Sequence, residues 1–501
     1  MTSRDSSRGL RLAQLTAAVA AAASLSLAGC GGGGGGAEAA PAPVGNTPSP
    51  APGPAPVPPP GPAPAPTPAP TPAPAPGGWT DPTFLGTHGA DDAQVAVDAA
   101  GRKLAVWRQA GVNGGIGSLQ WSHYTPAAGW SAPQAIPALP SLFGVDDISP
   151  LAMDPASGKA VLGWTQLVQG SLNRDMVAVR FDPQTGWETP ALLESEIGMV
   201  VRPRVGIDAN GNAFAAWAQH ASLQYNIWAN RAPAGGAWGT ALKIEHNESL
   251  GGTDGEPWLA VSPAGVAVVV WMASHGPGNA LWTNRYVPGS GWGTATELVS
   301  YDINRSVNFP RVALDASGAG VMVWGQYNSA PTATSAVMAK RFNGGGWEAG
   351  TVQVGAVPDT QGWISVPRLA LSPAGHAVAG WARNDNAVWA AVAAPGLASW
   401  SATQLKPVGN STVAGTPVVA ITDTGRAYAS WPHTTVTYPD LYLAERSAGA
   451  SWSAPQLFWH QTTSTVSNPA IAFNGAGVGS LVWTQDVGPP GKRVMVRRFG
   501  P

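Results

Sequence analysis

From Gly78 onward the chain is a succession of short apolar runs separated by polar turns rich in Gly, Asp, Ser and Asn. Runs of this length between turn signals predict strands rather than helices. The runs obey a longer period. A proline opens a first strand, a short turn follows, and a second strand ends in tryptophan, as in "PRVALDASGAGVMVW" at 310–324. Eight such units end at Trp107, Trp164, Trp217, Trp271, Trp324, Trp381, Trp431 and Trp483, at intervals of 50–57 residues.

Each unit continues through a variable loop into a third strand ("DMVAVRF", "AVMAKRF", "RVMVRRF") and then into a fourth opening on Gly-Trp or Ser-Trp. The fourth-strand tryptophans are Trp130, Trp187, Trp238, Trp292, Trp347, Trp400 and Trp452. The eighth unit stops at Pro501, where its own Gly-Trp is due. That dipeptide stands instead at Gly78-Trp79, ahead of the first unit. Four strands per unit at this period predict an all-β, eight-bladed β-propeller of four-stranded blades. The N-terminal strand 78–86 is expected to pair with the C-terminal blade and close the ring, since an unpaired last blade would leave an open edge. The two tryptophan sets then act as apolar plates between blades.

Composition adds the address. Charged residues are 11% of the chain, with 63 Gly, 48 Pro and 23 Trp, and the formal net charge is −2. That balance carries no electrostatic footprint for nucleic acid. Residues 1–29 hold a basic stretch (Arg4, Arg8, Arg11) and an alanine-rich apolar segment ending in Leu27-Ala28-Gly29-Cys30, and Cys30 is the sole cysteine. This resembles a bacterial lipoprotein signal, which implies lipidation of Cys30 and membrane attachment through that lipid. Gly31 in place of Asp implies the outer membrane of the cell envelope. Residues 30–77 comprise a glycine run and a Pro-Ala-rich segment, expected as an extended disordered stalk. The folded domain is expected over 78–501, as a monomer.

Candidate chemistry lies at register positions of the repeat. The first turn ("DASG", "DANG", "SPAG") resembles the aspartate box of sialidase-type propellers, but Asp315 and Gly318 are three apart where that box has two. The turn is therefore read as an Asx hairpin with glycine at positive φ. Arginine follows the opening proline in three units: Arg204, Arg311 and Arg368. Glutamine stands two residues after the second-strand tryptophan in five: Gln109, Gln166, Gln219, Gln326 and Gln485. Both sets are expected around one mouth of the central channel. There the glutamines either bond the backbone or meet a ligand, and the guanidiniums suit a carboxylate or phosphate. The third-strand arginines, Arg180, Arg231, Arg285, Arg341, Arg446 and Arg498, read as a solvated stripe. Trp258 and Trp363 fall outside the two tryptophan registers and could stack on a sugar ring or pack into the interior.

No nucleophile elbow, His-Glu-x-x-His, phosphate loop or cysteine metal pair occurs, so no catalytic residue, cofactor or metal is assigned. Eight-bladed quinone dehydrogenases share a tryptophan docking motif with different spacing. An outer-membrane assembly lipoprotein shares lipidation and ring size. Three functions stay open: a non-enzymatic module binding a glycan or envelope protein, an assembly scaffold, or a glycan hydrolase resembling sialidases.

Overall fold

The computed structural model describes residues 78–500 apart from the segments 87–88, 112–116, 140–141, 169–170, 172, 195–197, 222–223, 246–253, 276–277, 301, 330–333, 358–363, 384, 407–414, 435–438, 461–464 and 487–490. Cys30, the stalk and Trp363 lie outside the described residues. The described chain is all-β, with antiparallel sheets and no helix.

Each repeat folds as an antiparallel meander. The fifth is typical: Arg305–Leu314, Gly320–Asn328, Thr334–Phe342 and Val352–Val357 pair in sequence order. The meanders of the second and third repeats share one sheet, joined by the single parallel pairing of Arg174 with Met199. The last sheet is assembled from both ends of the chain. Val466–Phe473, Gly479–Asp486 and Lys492–Phe499 supply three strands, and Thr83–Phe84 pairs antiparallel outside the third, with Thr83 opposite Val496. The pairing is broken, because Pro82 has no N–H to offer the ladder. Beyond it, Trp79 bridges Phe499, and the Thr80 amide donates to the Arg498 carbonyl at 2.8 Å.

The hairpin between first and second strands is the same in seven repeats, its chemistry explaining the Asp, Ser, Thr or Asn that opens it, while in the second, one residue longer, Asp154 accepts from the Ser157 amide at 2.8 Å. The opening side chain accepts from the backbone amide four residues on, as Asp208 does from Asn212 (2.8 Å) and Asn474 from Val478 (2.9 Å). Glycine then takes a left-handed conformation, with φ +87° at Gly211 and +88° at Gly477. Most of these turns also bond the next: Ala209 donates to the Pro263 carbonyl, and Asn474 Nδ2 to the Asp98 carbonyl at 2.9 Å.

The apolar interior is divided into clusters that each join consecutive repeats. Phe214 and Ala216 of the third pack with Trp271 and Val269 of the fourth. Val482, Val494 and Val496 of the last repeat pack with Val95 and Trp107 of the first. All eight second-strand tryptophans are at most 1% exposed. At about 25 cal/mol per Å² of apolar area, each such side chain contributes a few kcal/mol to burial. The inner strands also touch in chain order, and Val466–Phe473 touches Ala90–Val97.

One expectation is corrected. Four of the six third-strand arginines are not part of a solvated stripe, while Arg341 makes a half-exposed pair with Glu348 of its own repeat. Arg180 donates to the carbonyls of Pro233 and Gly236 in the next repeat (both 2.8 Å), Arg285 to that of Gly345, and Arg498 to the Tyr124 hydroxyl. Arg231 lies over the rings of Phe214 and Tyr286. A long cation on an outer strand reaches across the seam because carbonyls and aromatic faces wait there.

A cationic cavity among the inner strands

The inner strands carry an irregularity that the repeat pattern does not announce. In five of them the ladder slips two residues before the cavity-facing position, between Asp91 and Gln94, Val201 and Arg204, Gly255 and Trp258, Asn308 and Arg311, and Ser467 and Ala470. Inside each slip one non-glycine residue has positive φ: Asp92 (52°), Arg202 (57°), Glu256 (54°), Phe309 (56°) and Asn468 (49°). Such backbone costs of order 1–3 kcal/mol per residue, and β-bulges re-aim the side chains around them.

After the slip the register is common. Gln94, Arg204, Trp258, Arg311, Val418 and Ala470 each sit opposite the residue preceding the second-strand tryptophan, and Arg368 does the same opposite Gly380. Trp258 therefore occupies the arginine position of the fourth repeat, on the strand Asp254–Val261 rather than in a loop. The alignment of Pro257-Trp258 with Pro203-Arg204 and Pro310-Arg311 was the sequence signal for it.

These positions, Arg204 excepted, meet in one cavity of about 360 Å³, with lining residues from every repeat but the third. Arg311, Arg368 and Trp258 line it, with Asp92 and Gln94 of the first repeat and Asn468 of the last. Arg204 and Arg311 both stack on the Trp258 indole, with guanidinium carbons 4.5 and 4.1 Å from the ring centre. The ring holds its two neighbours by cation–π attraction and is not presented as a sugar platform.

Arg204 and Arg311 are 9% and 5% exposed, yet among the described residues neither has a carboxylate partner. Each donates only to the carbonyl of its own preceding proline, Pro203 at 2.7 Å and Pro310 at 2.9 Å, and each Nε is left unbonded. Burial pushes the Arg204 pKa down to about 10, against the pull of Asp147 and Glu256. Burial, with Arg204 and Arg368 adding repulsion, pushes Arg311 down to about 9. Arg368 is accessible to water, but it stands inside the cavity with protein around it, and desolvation lowers its pKa too. All three remain cationic at neutral pH.

The carboxylates that could neutralise them are engaged elsewhere. Glu256 pairs with Arg202 at 3.0 Å, and Asp147 accepts the Arg202 amide at 3.2 Å. Asp92, which also lines the cavity, pairs with Arg108 (2.8 Å) and accepts from Asn468 (2.8 Å), while Asp91 pairs with Lys492 (2.8 Å). Burial raises the Asp92 pKa, with Asp91 and Asp147 adding to it and Arg108 opposing.

The glutamines do not line this cavity. Gln166 and Gln219 accept from the indoles of Trp164 and Trp217, both at 3.0 Å. Gln485 accepts from Trp459 at 3.2 Å, Gln326 donates to Asn328 at 3.1 Å, and Gln109 lies beside Gly89. Gln166 and Gln219 satisfy the N–H of the indole two residues before them, whereas the Trp107, Trp324 and Trp483 N–H groups have no partner among the described residues. Among the described residues no three His, Cys, Asp or Glu side chains gather as a metal site.

No protein-family model matches the chain, and no curated protein matches it. Among solved structures it is similar to a polysaccharide lyase (8% identity, TM-score 0.45, covering 83% of this chain and 90% of that one). It is similar to the α-L-arabinofuranosidase of Fusarium graminearum (9%, TM-score 0.39, 85% and 98%) and to a Hadza microbial sialidase (11%, TM-score 0.35, 84% and 95%). At these scores the reading of the site rests on its own residues.

Proposed function

We propose that the chain is an envelope-anchored, eight-bladed β-propeller that captures an acidic glycan by its carboxylate in the central cavity. The observation that carries this reading is a set of three convergent guanidiniums without a carboxylate partner among the described residues, two of them buried around Trp258. Uncompensated buried cations are costly to keep, and a ligand carboxylate is the group their fork geometry fits. The ring itself is supported by the contact between the first and last inner strands, by the Asn474–Asp98 turn bond and by the pairing of Thr83 with Val496. Attachment through lipidated Cys30 rests on the signal sequence alone.

The test is calorimetric titration of a glucuronate-terminated oligosaccharide into the full chain, beside its neutral glucose-terminated counterpart. Binding of the acidic sugar only, lost in Arg311→Met, supports the reading. Equal binding of both, or of neither, overturns it.

A second reading adds turnover, because Asp92 lines the same cavity with a raised pKa. A carboxyl whose hold on its proton is strengthened by burial, in the same cavity as a cationic anchor, is suited to protonate a glycosidic oxygen. Release of reducing sugar that disappears in Asp92→Asn would establish it; binding without release leaves the module non-enzymatic.

A further inference from the structure

At the first residue of the second strand, the other seven repeats carry Ala or Gly, as in Ala160, Ala213, Ala267 and Gly320. In the first repeat that position, opposite Val97, holds Lys103, and its side chain is buried at 2% exposure. Its ammonium donates to the Gly101 carbonyl at 3.1 Å and lies 4.3 Å from the centre of the Tyr124 ring. The Arg498 guanidinium stands over the same ring at 4.6 Å. The one carboxylate nearby, Asp98, is held by Arg102 through its backbone amide (2.8 Å) and Nε (2.5 Å). Asp98 lines the same cavity as Lys103, and its carboxylate is bonded to Arg102 rather than to the Lys103 ammonium.

Lys103 and Arg102 line a cavity of about 410 Å³ whose other walls include Trp121, Phe181 and Met153. His123 lines it too, stacked on Trp121, with a buried Nδ1 that has no partner among the described residues. We propose that this cavity is a second ligand site, taking a small anion with a flat apolar body. The anionic group would pair with Lys103, and the body would lie against Trp121 and Phe181. A buried ammonium without a counter-ion costs stability that the repeats with Ala or Gly do not lose, and a ligand anion is the missing partner. Burial, then repulsion from Arg498, against the pull of Asp98, holds the Lys103 pKa down to about 8. Pairing must raise it again, so binding takes up protons near that pH. The site shares no residue with the inner cavity and stands apart from the glycan reading.

The experiment uses the full chain with 2-naphthoate as probe, its uncharged amide as control, and calorimetry at pH 7 and pH 9.5. Expected are one-to-one binding of naphthoate at pH 7, at least tenfold weaker binding of the amide, and at least a tenfold loss at pH 9.5. Lys103→Met, which keeps the stem and removes the charge, should abolish binding, whereas Arg368→Met should leave it intact. Should Lys103→Met fold poorly, proton uptake by the native chain in two buffers at pH 8 decides. No binding, an affinity unchanged between the two pH values, or binding without proton uptake overturns the proposal.

Discussion

The indole of Trp79 stands edge-on to the ring of Phe499, their centroids 5.2 Å apart, although the two residues come from opposite ends of the described chain. Trp79 also meets Phe458 edge-on at 4.9 Å, and its N–H donates to Glu445 at 3.0 Å. Trp79→Ala is expected to lower stability by about 2–4 kcal/mol, through lost aromatic packing and the lost indole bond to Glu445, whose carboxylate keeps Arg426 as a partner. Deleting residues 78–86 should cost more, because it strips a strand from the last sheet. Urea unfolding of both variants measures this, and a deletion that unfolds with the native midpoint would refute closure by this segment.

Removing the charge of Arg311 should separate stability from function. Met keeps the bulk of the stem, relieves a buried cation repelled by Arg204 and Arg368, and loses the contact with Trp258. Replacing buried charge with apolar volume is commonly neutral or stabilising by about 1–4 kcal/mol, and the lost cation–π contact returns about 1–2 of that. Thermal unfolding of Arg311→Met should therefore begin no earlier than for the native chain, while acidic-sugar affinity falls at least tenfold.

The same physics makes stability depend on pH through Lys103. Its folded pKa of about 8 lies below the ordinary lysine value of 10.5. Between the two, the unfolded chain binds more protons than the folded one, so stability rises with pH across that window. The penalty is complete below about pH 8 and is relieved toward pH 10.5, by at most roughly 3 kcal/mol at 1.36 kcal/mol per unit. Denaturant midpoints at pH 7.5 and pH 10 should show this rise in the native chain relative to Lys103→Met. Parallel pH profiles for the two proteins would contradict it.

Gln219 offers the opposite case, a polar side chain whose work is architectural. Gln219→Ala leaves the buried Trp217 N–H without its acceptor and should cost about 1–3 kcal/mol. Acidic-sugar affinity should stay within twofold of native, which titration of the folded variant checks. A large affinity loss at native stability would return the glutamines to the binding site.

Much of the fold was legible in the sequence, because the information repeats. The Trp107-to-Trp483 series fixed the strand order of each meander, and the displaced Gly78-Trp79 indicated which sheet takes strands from both ends. The site was half legible. Arg204, Arg311 and Arg368 stand out by register, whereas Trp258 stands out only as a tryptophan outside its own series, because its place at the arginine position shows when it is compared with those residues instead. The bulges at Asp92, Arg202 and Glu256 left no sequence mark, for positive φ at a non-glycine residue is imposed by tertiary packing. Nor did spacing reveal that Gln166 and Gln219 cap indoles, or that Arg180 and Arg285 cross to the next repeat. Lys103 breaks the repeat openly, but its burial, which makes the substitution consequential, belongs to three dimensions.

The most direct test is calorimetric titration of the glucuronate-terminated oligosaccharide into the native full chain and into Arg368→Met, whose side chain faces the cavity without supporting the Trp258 stack. The account predicts one-to-one binding in the native chain and at least a tenfold weaker affinity in a variant that unfolds at the native temperature. Native-strength binding by Arg368→Met, or equal affinity for the neutral sugar, would contradict it.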